Sequence, residues 1–276
     1  MLKRFMNKIQ TFLVRQIDQI IEKRLQLAIQ DLKDLGIRII KEKIDVKDFQ
    51  EWMEEYGEIV KYYDGHNNVK IEKILEHYLV CKCLGIKKGD VYIDIAACYS
   101  PFSKILSKRG VDGYEQDLIY KAGINEHKIG GDASLLPVPN NFADVLSLQC
   151  AFECFQSDSD IGFIKESWRV LKKGGVLGIV PLYVGKKYFV KAGPKANKKN
   201  IKIEKEVKWI WRVDKNLQAS FSRHYSPTAL KSRVIDYLTE GGMKVEILFF
   251  TNLDELMKIY NNQRIYCHFM LRAVKQ

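Results

Sequence analysis

From Leu2 to about Ile40 the apolar residues fall at 2, 5, 9, 13, 17 and 20, then at 25, 28, 32, 35 and 39, spacings of mostly three and four. One stripe at that spacing predicts a long amphipathic helix, broken near Gly36. Residues 45–66, rich in acidic side chains, predict one or two further helices ending at Asp64-Gly65, and "KIEKILEHYLVCKCLGI" predicts another, closed by Gly85. From Gly89 the pattern changes. The β-rich runs "DVYIDIA", "GYEQDL", "ADVLSLQ" and "GGVLGIVPL" alternate with helix-length segments such as "FSKILSKR" and "IGFIKESWRVLKK". That alternation is the signature of a mostly parallel, doubly wound sheet. After a lysine-rich stretch, a helix over "SPTALKSRVIDYLTEGG" leads into two adjacent strands, "KVEILFF" and "IYCHFMLRAV", instead of another crossover unit.

A chain of 276 residues with 46% hydrophobic and 29% charged side chains can bury one sizeable core plus an extension, and is neither disordered nor fibrous in composition. Apolar runs such as "ILFF" at 247–250 fall far short of the roughly 18 residues that cross a bilayer. The opening segment lacks the uninterrupted apolar stretch of a secretory signal, so a cytoplasmic protein is expected. Six cysteines, at 81, 83, 98, 150, 154 and 267, show no paired C-x-x-C spacing. They are expected to be reduced, buried thiols, and no metal is implied. The net charge of +11 is concentrated in the first 30 residues and in 186–208, leaving the region between nearly balanced, which argues against nucleic acid as the partner. The N-terminal stripe suits packing on the core or on a second copy, making a homo-oligomer. Its basic face with Phe and Leu opposite also suits peripheral contact with the anionic inner face of a membrane.

Four features carry chemistry. The strand and turn "VYIDIAACYS" put Asp94 at a strand end, with the small residues Ala96, Cys98 and Ser100 where a D-x-G-x-G-x-G loop would place glycines, so that a ligand can approach backbone and helix N-terminus. An acid ends the next strand in "GYEQDL": Asp117 stands 21 residues beyond Ala96, the separation at which dinucleotide sites bind ribose hydroxyls. Glu115 competes with it for that role. In "GGDASLLPVPNNFADVLSLQ", Asp132 is followed by the small Ala133, and "FIKESWRVLKKGGVLGIVPL" reads as a helix, a glycine pair and a strand.

Together these features resemble a class I S-adenosylmethionine-dependent methyltransferase of the type 11 kind. "GDASLLPVPNNFADV" and "ESWRVLKKGGVLGIVP" are very similar to the patterns GDAxxLPxPDxSFDxV and ExxRVLKPGGxLxIxxP, over about residues 75–180. The resemblance implies a Rossmann-like, doubly wound, seven-stranded α/β sheet with a terminal antiparallel strand. It implies a methyltransferase domain over 71–276, a helical extension over 1–70, and a lysine-rich acceptor-side insertion at about 184–212. It implies S-adenosylmethionine as cofactor: Asp94 near the methionine amine, Ala96, Ala97 and Ser100 along the methionine, Asp117 on the ribose, Asp132 and Ala133 at the adenine, and Gln149 facing the sulfonium. A weaker likeness, through "LQCAFECFQSDSDIGFIKE" and "FSRHYSPTAL", points to a bacterial subgroup associated with glycan or O-antigen clusters.

Methyl transfer is an in-line displacement, and a base is needed when the acceptor is a hydroxyl. Glu153, just beyond the fourth strand, and His224 are the two candidate bases, with Tyr225 as an orienting hydroxyl. The acceptor expected is a small molecule or glycan, O-methylated, gripped by the lysines of 186–208 with Tyr188, Trp209 and Trp211. The Asn/Asp-Pro-Pro-Tyr signature of nucleobase amino-methylation is missing. A non-catalytic scaffold on the same fold, and an RNA methyltransferase, are the alternatives. A glycine replaced by Ala or Cys where φ must be positive costs roughly 1 kcal/mol or more, so either the loop turns differently, helped by Pro101, or the site has drifted from binding.

Overall fold

In the computed structural model, which describes residues 22–193, 196, 201–205, 207–211 and 220–276, the first described helix, α1 (22–34), stops where the break is expected, and Gly36 takes a φ of 76°. The helix does not resume. Ile39–Glu42 form a strand, β1, with Ile39 opposite Ile247 and Ile40 opposite Leu248. This corrects the single helical stripe to Ile40: consecutive β-branched side chains lose freedom in a helix and pack well on a pleated surface. The first half of that stripe, and the oligomer and membrane readings that rest on it, lie outside the described residues. The second half is not an appendage, because Ile29, Leu32 and Ile37 belong to the same buried cluster as the strands that follow.

Helix α2 (Val46–Glu55) starts at Asp45, whose carboxylate accepts the N–H groups of Lys47 and Asp48 at 2.9 and 3.1 Å, an N-cap that satisfies donors the helix leaves open. Helices α3 (Gly57–Tyr62) and α4 (Lys70–Leu84) follow, the last closed by left-handed Gly85 as expected. The alternating region gives β2 (Val91–Ile95), α5 (Phe102–Ser107), β3 (Asp112–Asn125), β4 (Lys128–Gly130), β5 (Ala143–Gln149), α6 (Ser159–Val170) and β6 (Leu171–Val180). The chain then leaves the sheet for a small three-stranded one of β7 (Phe189–Ala192), β8 (Lys208–Trp211) and β9 (Phe221–His224), ordered β8-β7-β9. It returns through α7 (Pro227–Leu230), a π-helical turn over Lys231–Ile235 and α8 (Asp236–Glu240) to β10 (Met243–Phe250), α9 (Leu253–Ile259) and β11 (Phe269–Lys275).

The main sheet has the order β1-β10-β11-β6-β5-β2-β3-β4, and β11 runs antiparallel to both its neighbours. The reversal at β5/β2 makes a doubly wound Rossmann-like α/β fold with the terminal reversed strand that was expected, and β1 is an eighth strand on its edge. No helix connects β3 to β4. Glu115, Gln116 and Asp117 face Lys128, Ile129 and Gly130 in turn, and after a bulge Ala122, Ile124 and Asn125 meet the same three residues in descending order. This doubling back brings the backbones so close that a β-carbon on Gly130 would lie 2.0 Å from the carbonyl oxygen of Lys121. Two large apolar clusters cover the sheet, one holding α1 and α6, the other α2, α3, α4 and α5.

Candidate active site

The carboxyl ends of β2, β3 and β5 meet at the switch point, the place where open α/β sheets bind ligands. Asp94, at the end of β2, is 2% exposed. Its Oδ1 accepts from Gln149 Nε2 at 3.3 Å, while Oδ2 has no hydrogen-bond partner among the described residues. Burial pushes its pKa up to about 7, only partly opposed by the neighbouring Ser100 hydroxyl and Gln149 amide. Gln149 also approaches the Tyr92 hydroxyl and Ser147 Oγ at 3.4 Å, and its side chain reaches the buried His77 imidazole.

The glycine-less turn keeps a glycine-like shape. Ala96, Cys98 and Tyr99 hold φ of 54°, 45° and 65°, so the loop carries strain instead of turning differently. Strand β3 holds it there. The Cys98 N–H donates to Asp117 Oδ2 at 2.9 Å, the Ala97 N–H to the Gln116 carbonyl at 2.9 Å, and the Ala96 N–H to Gln116 Oε1 at 3.2 Å. Cys98 is exposed, against the expectation of buried thiols, because it stands at the tip of this surface loop.

Ala96, Asp117, Asp132 and Ala133 line one cleft of about 200 Å³, with Gln116, Leu118, Cys154, Phe155, Gln156 and Ser159 completing it. Glu115 is turned to the Tyr120 hydroxyl, which donates to its Oε2 at 2.8 Å, and is not among the lining residues. Asp132 Oδ1 accepts both the N–H and the hydroxyl of Ser134 at 2.8 Å, a local turn that fixes its orientation. The motif residues Glu166 and Arg169 stand behind it: Glu166 Oε1 accepts the Leu136 N–H at 2.7 Å, and Arg169 donates to the carbonyls of Leu136 and Val138 at 3.0 and 2.8 Å. They staple the crossing loop to α6, which is why that stretch is legible as a pattern. A larger hollow of about 370 Å³ between α4 and the β1–β10 edge contains none of these groups.

Glu153 lies on a 3-10 turn (Phe152–Cys154) directly after β5 and is 6% exposed. Its Oε1 accepts from the Cys150 thiol at 3.4 Å, Oε2 has no hydrogen-bond partner among the described residues, and burial pushes its pKa up. His224, 9% exposed, is stacked on Phe189 at 4.6 Å and 6°, with Tyr183 tilted against it at 4.7 Å and Ser222 Oγ 3.1 Å from Nε2. Tyr225 does not orient it. The Tyr225 hydroxyl donates to Asp160 Oδ2 at 2.7 Å, inside a buried network in which Asp160 also pairs with Arg223 and Arg233, and Arg233 with Glu204 at 2.6 Å. Tyr188 joins the same network through Glu204 at 3.0 Å.

Sequence reasoning missed four residues. Glu72, Lys73, Glu76 and His77 stand at i, i+1, i+4 and i+5 of α4, a spacing that reads as a solvated polar face. Here the stripe is covered. Glu72, Glu76 and His77 are at most 2% exposed, the Tyr266 N–H donates to Glu72 Oε2 at 2.8 Å, and Lys73 bonds Glu76 at 2.9 Å. Burial raises both carboxyl pKa values, to about 7 and about 8, and lowers that of His77 to about 3.

A cleft at the switch point, an acid on each of two successive strand ends, and a buried Asp94 oxygen with no hydrogen-bond partner among the described residues fit a nucleoside cofactor with a charged tail. Residues 93–179 match the family model described as a methyltransferase domain. No curated protein matches the sequence. Among solved structures, the Haloferax volcanii complex of the Trm112 methyltransferase activator aligns at 14% identity over 80% of this chain and 96% of that one, with a TM-score of 0.45. An S-adenosylmethionine-dependent methyltransferase from Mesorhizobium loti aligns at 14% identity over 72% and 98%, with a TM-score of 0.47. The Burkholderia thailandensis 1,6-didemethyltoxoflavin-N1-methyltransferase, with 1,6-didemethyltoxoflavin and S-adenosylhomocysteine bound, aligns at 11% identity over 86% and 93%, with a TM-score of 0.49.

Proposed function

We propose that this chain, a methyltransferase that draws its methyl group from S-adenosylmethionine, delivers it to a hydroxyl of a small-molecule or glycan-like acceptor on the Glu153 side of Gln149. The observation that supports this reading is the Glu153 carboxylate, four residues past Gln149, buried, with one oxygen unpartnered and its pKa raised. A carboxylate so placed is a stronger base than one in water and has a free lone pair for the proton. Bound S-adenosylmethionine supplies an electrophilic methyl group. Asp117 and Asp132 would hold the nucleoside, Asp94 and Gln149 would fix the charged end, and Glu153 would take the acceptor hydroxyl's proton as its oxygen bonds the methyl carbon and the methyl–sulfur bond breaks, leaving S-adenosylhomocysteine. Glu153 is preferred to His224 because the imidazole is packed against Phe189 and Tyr183. On the insertion, Trp209 and Trp211 are stacked at 5.8 Å and Trp211 is 53% exposed, a surface on which a sugar ring can stack.

Glu153→Gln tests this. S-adenosylhomocysteine binding, read by titration calorimetry, should stay within about twofold. Transfer of labelled methyl groups to a panel of sugar and small-molecule hydroxyl acceptors should fall by about 10²–10⁴. Undiminished transfer, or label entering only amine acceptors in the same panel, would sink the reading. A folded protein that bound no S-adenosylhomocysteine would be a scaffold.

A further inference from the structure

We infer that Gln116 is a positioning residue for the cofactor: its carboxamide bridges the loop after β2 and the turn that carries Asp132, and so sets the width of the cleft between them. The inference rests on the cofactor reading of the cleft, and it concerns a residue to which that reading gives no role.

Gln116 stands on β3 opposite Ile95 of β2 and Ile129 of β4, and is 1% exposed. Both ends of its amide are engaged. Oε1 accepts the Ala96 N–H at 3.2 Å, and Nε2 donates to the Gly131 carbonyl at 2.6 Å. Its own carbonyl accepts the Ala97 N–H at 2.9 Å. Ala96 lines the cleft from the loop, Asp132 and Ala133 line it from the turn, and Gln116 lines it between them. One side chain therefore fastens the two segments that a nucleoside with a charged tail has to touch together.

The chemistry of the two anchors selects this residue type. One is an N–H and the other a carbonyl, so the bridge needs an acceptor and a donor on one group, which a carboxamide supplies and a carboxylate does not. Asparagine has the same group on a stem one methylene shorter. An apolar side chain of equal length would leave both backbone groups without these bonds. The loop has particular need of them, because Ala96 holds a φ of 54°, a conformation that persists only where surrounding contacts over-determine it.

Gln116→Glu tests the bridge without changing its shape. A protonated carboxylic acid still accepts from Ala96 and donates to Gly131, whereas the ionised form can only accept and sets a negative oxygen against the Gly131 carbonyl. The titratable groups around it are Asp117 on the same strand, Asp94 on β2 and Asp132 on the turn, and the wild type shares all three. The ratio of variant to wild-type affinity therefore isolates the new carboxyl. Binding of S-adenosylhomocysteine to the full chain is read by titration calorimetry between pH 5 and 8.5, on protein shown by circular dichroism to be folded at each pH. The variant should bind within about threefold of wild type at the acid end and about ten- to a hundredfold more weakly at the alkaline end. Gln116→Met, which keeps the length and loses both bonds, should weaken binding about tenfold at every pH, and it decides the matter if Gln116→Glu does not fold. A Gln116→Glu affinity that runs parallel to wild type across the range, or a Gln116→Met affinity within twofold of it, would overturn the inference alone. A wild type that binds no S-adenosylhomocysteine would overturn it together with the cofactor reading.

Discussion

Replacing Cys98 by glycine should stabilise the ligand-free protein. A residue with a β-carbon pays about 1–2 kcal/mol to sit in the left-handed region, and Cys98 sits there at φ 45°. Glycine does not pay it, but gives the unfolded chain more freedom, worth about 0.4–1 kcal/mol the other way. The net is a gain of about 0.7 kcal/mol, or about 2 °C in Tm for a chain of this size. Cys98 is the clean position because its side chain is exposed and its anchor is a backbone N–H donating to Asp117 at 2.9 Å, which glycine retains. Two controls separate strain from packing. Cys98→Ala removes the sulfur and keeps the strain, so it should change little. Ala96→Gly relieves a φ of 54° but gives up a partly buried methyl group packed on the core, worth up to about 0.8 kcal/mol, so it should come out near zero. Thermal and urea unfolding without ligand read all three, with an unchanged urea slope confirming that only stability moved. Cys98→Gly no more stable than Cys98→Ala would refute the strain argument.

Asp94 should impose a pH dependence on stability. The folded carboxyl keeps its proton up to about 7 and the unfolded one only to about 3.8, so stability falls as pH rises between those values and then levels; at about 1.4 kcal/mol per pH unit the upper limit is about 4 kcal/mol. Asp94→Asn should therefore flatten urea midpoints between pH 4 and 7 and exceed wild type at pH 8, and midpoints running parallel to wild type would contradict it. Asp160→Asn should cost about 3 kcal/mol at pH 7, because it removes the nearer counter-charge of the fully buried Arg223 and leaves only Glu204 at 3.5 Å; a loss under about 1 kcal/mol by urea unfolding would show that the network is dispensable. Burial alone would raise the Asp160 pKa, but Arg233 and Arg223 outweigh it and hold it below the ordinary value. Its contribution is therefore present above the unfolded pKa and fades as pH falls through the folded one.

What was legible in the sequence is what repeats along one element. The alternation from Gly89 onward yields the sheet, and Asp117 and Asp132 fall in one cleft because their spacing is set by strand lengths that the fold fixes. Two kinds of information were not local. Ile39 and Ile40 continue a helical period as well as they begin a strand, and only the partner β10, about 200 residues later, decides between them. The Glu72–His77 stripe has the charge pattern of a solvated face, and its burial depends on Tyr266 from the far end of the chain, whose N–H caps Glu72. The same limit applies to Tyr225. A tyrosine next to a histidine in sequence suggests a working pair, but successive residues of a strand point to opposite faces, and Tyr225, just past the end of β9, turns inward to Asp160.

The strained turn is held in place by the strand beside it. Without glycine, Ala96 and Cys98 keep left-handed backbone only if neighbouring contacts over-determine it, and those contacts come from Gln116 and Asp117 at the end of β3. Asp117 spends Oδ2 on the Cys98 N–H and Oδ1 on the Ile119 N–H at 3.2 Å. A carboxylate has about four acceptor sites, so it can hold the turn and still receive hydroxyl donors from a ribose. Asp117 thus clamps the loop while it lines the cleft, so the shape of the turn and the chemistry of the cleft depend on one carboxylate.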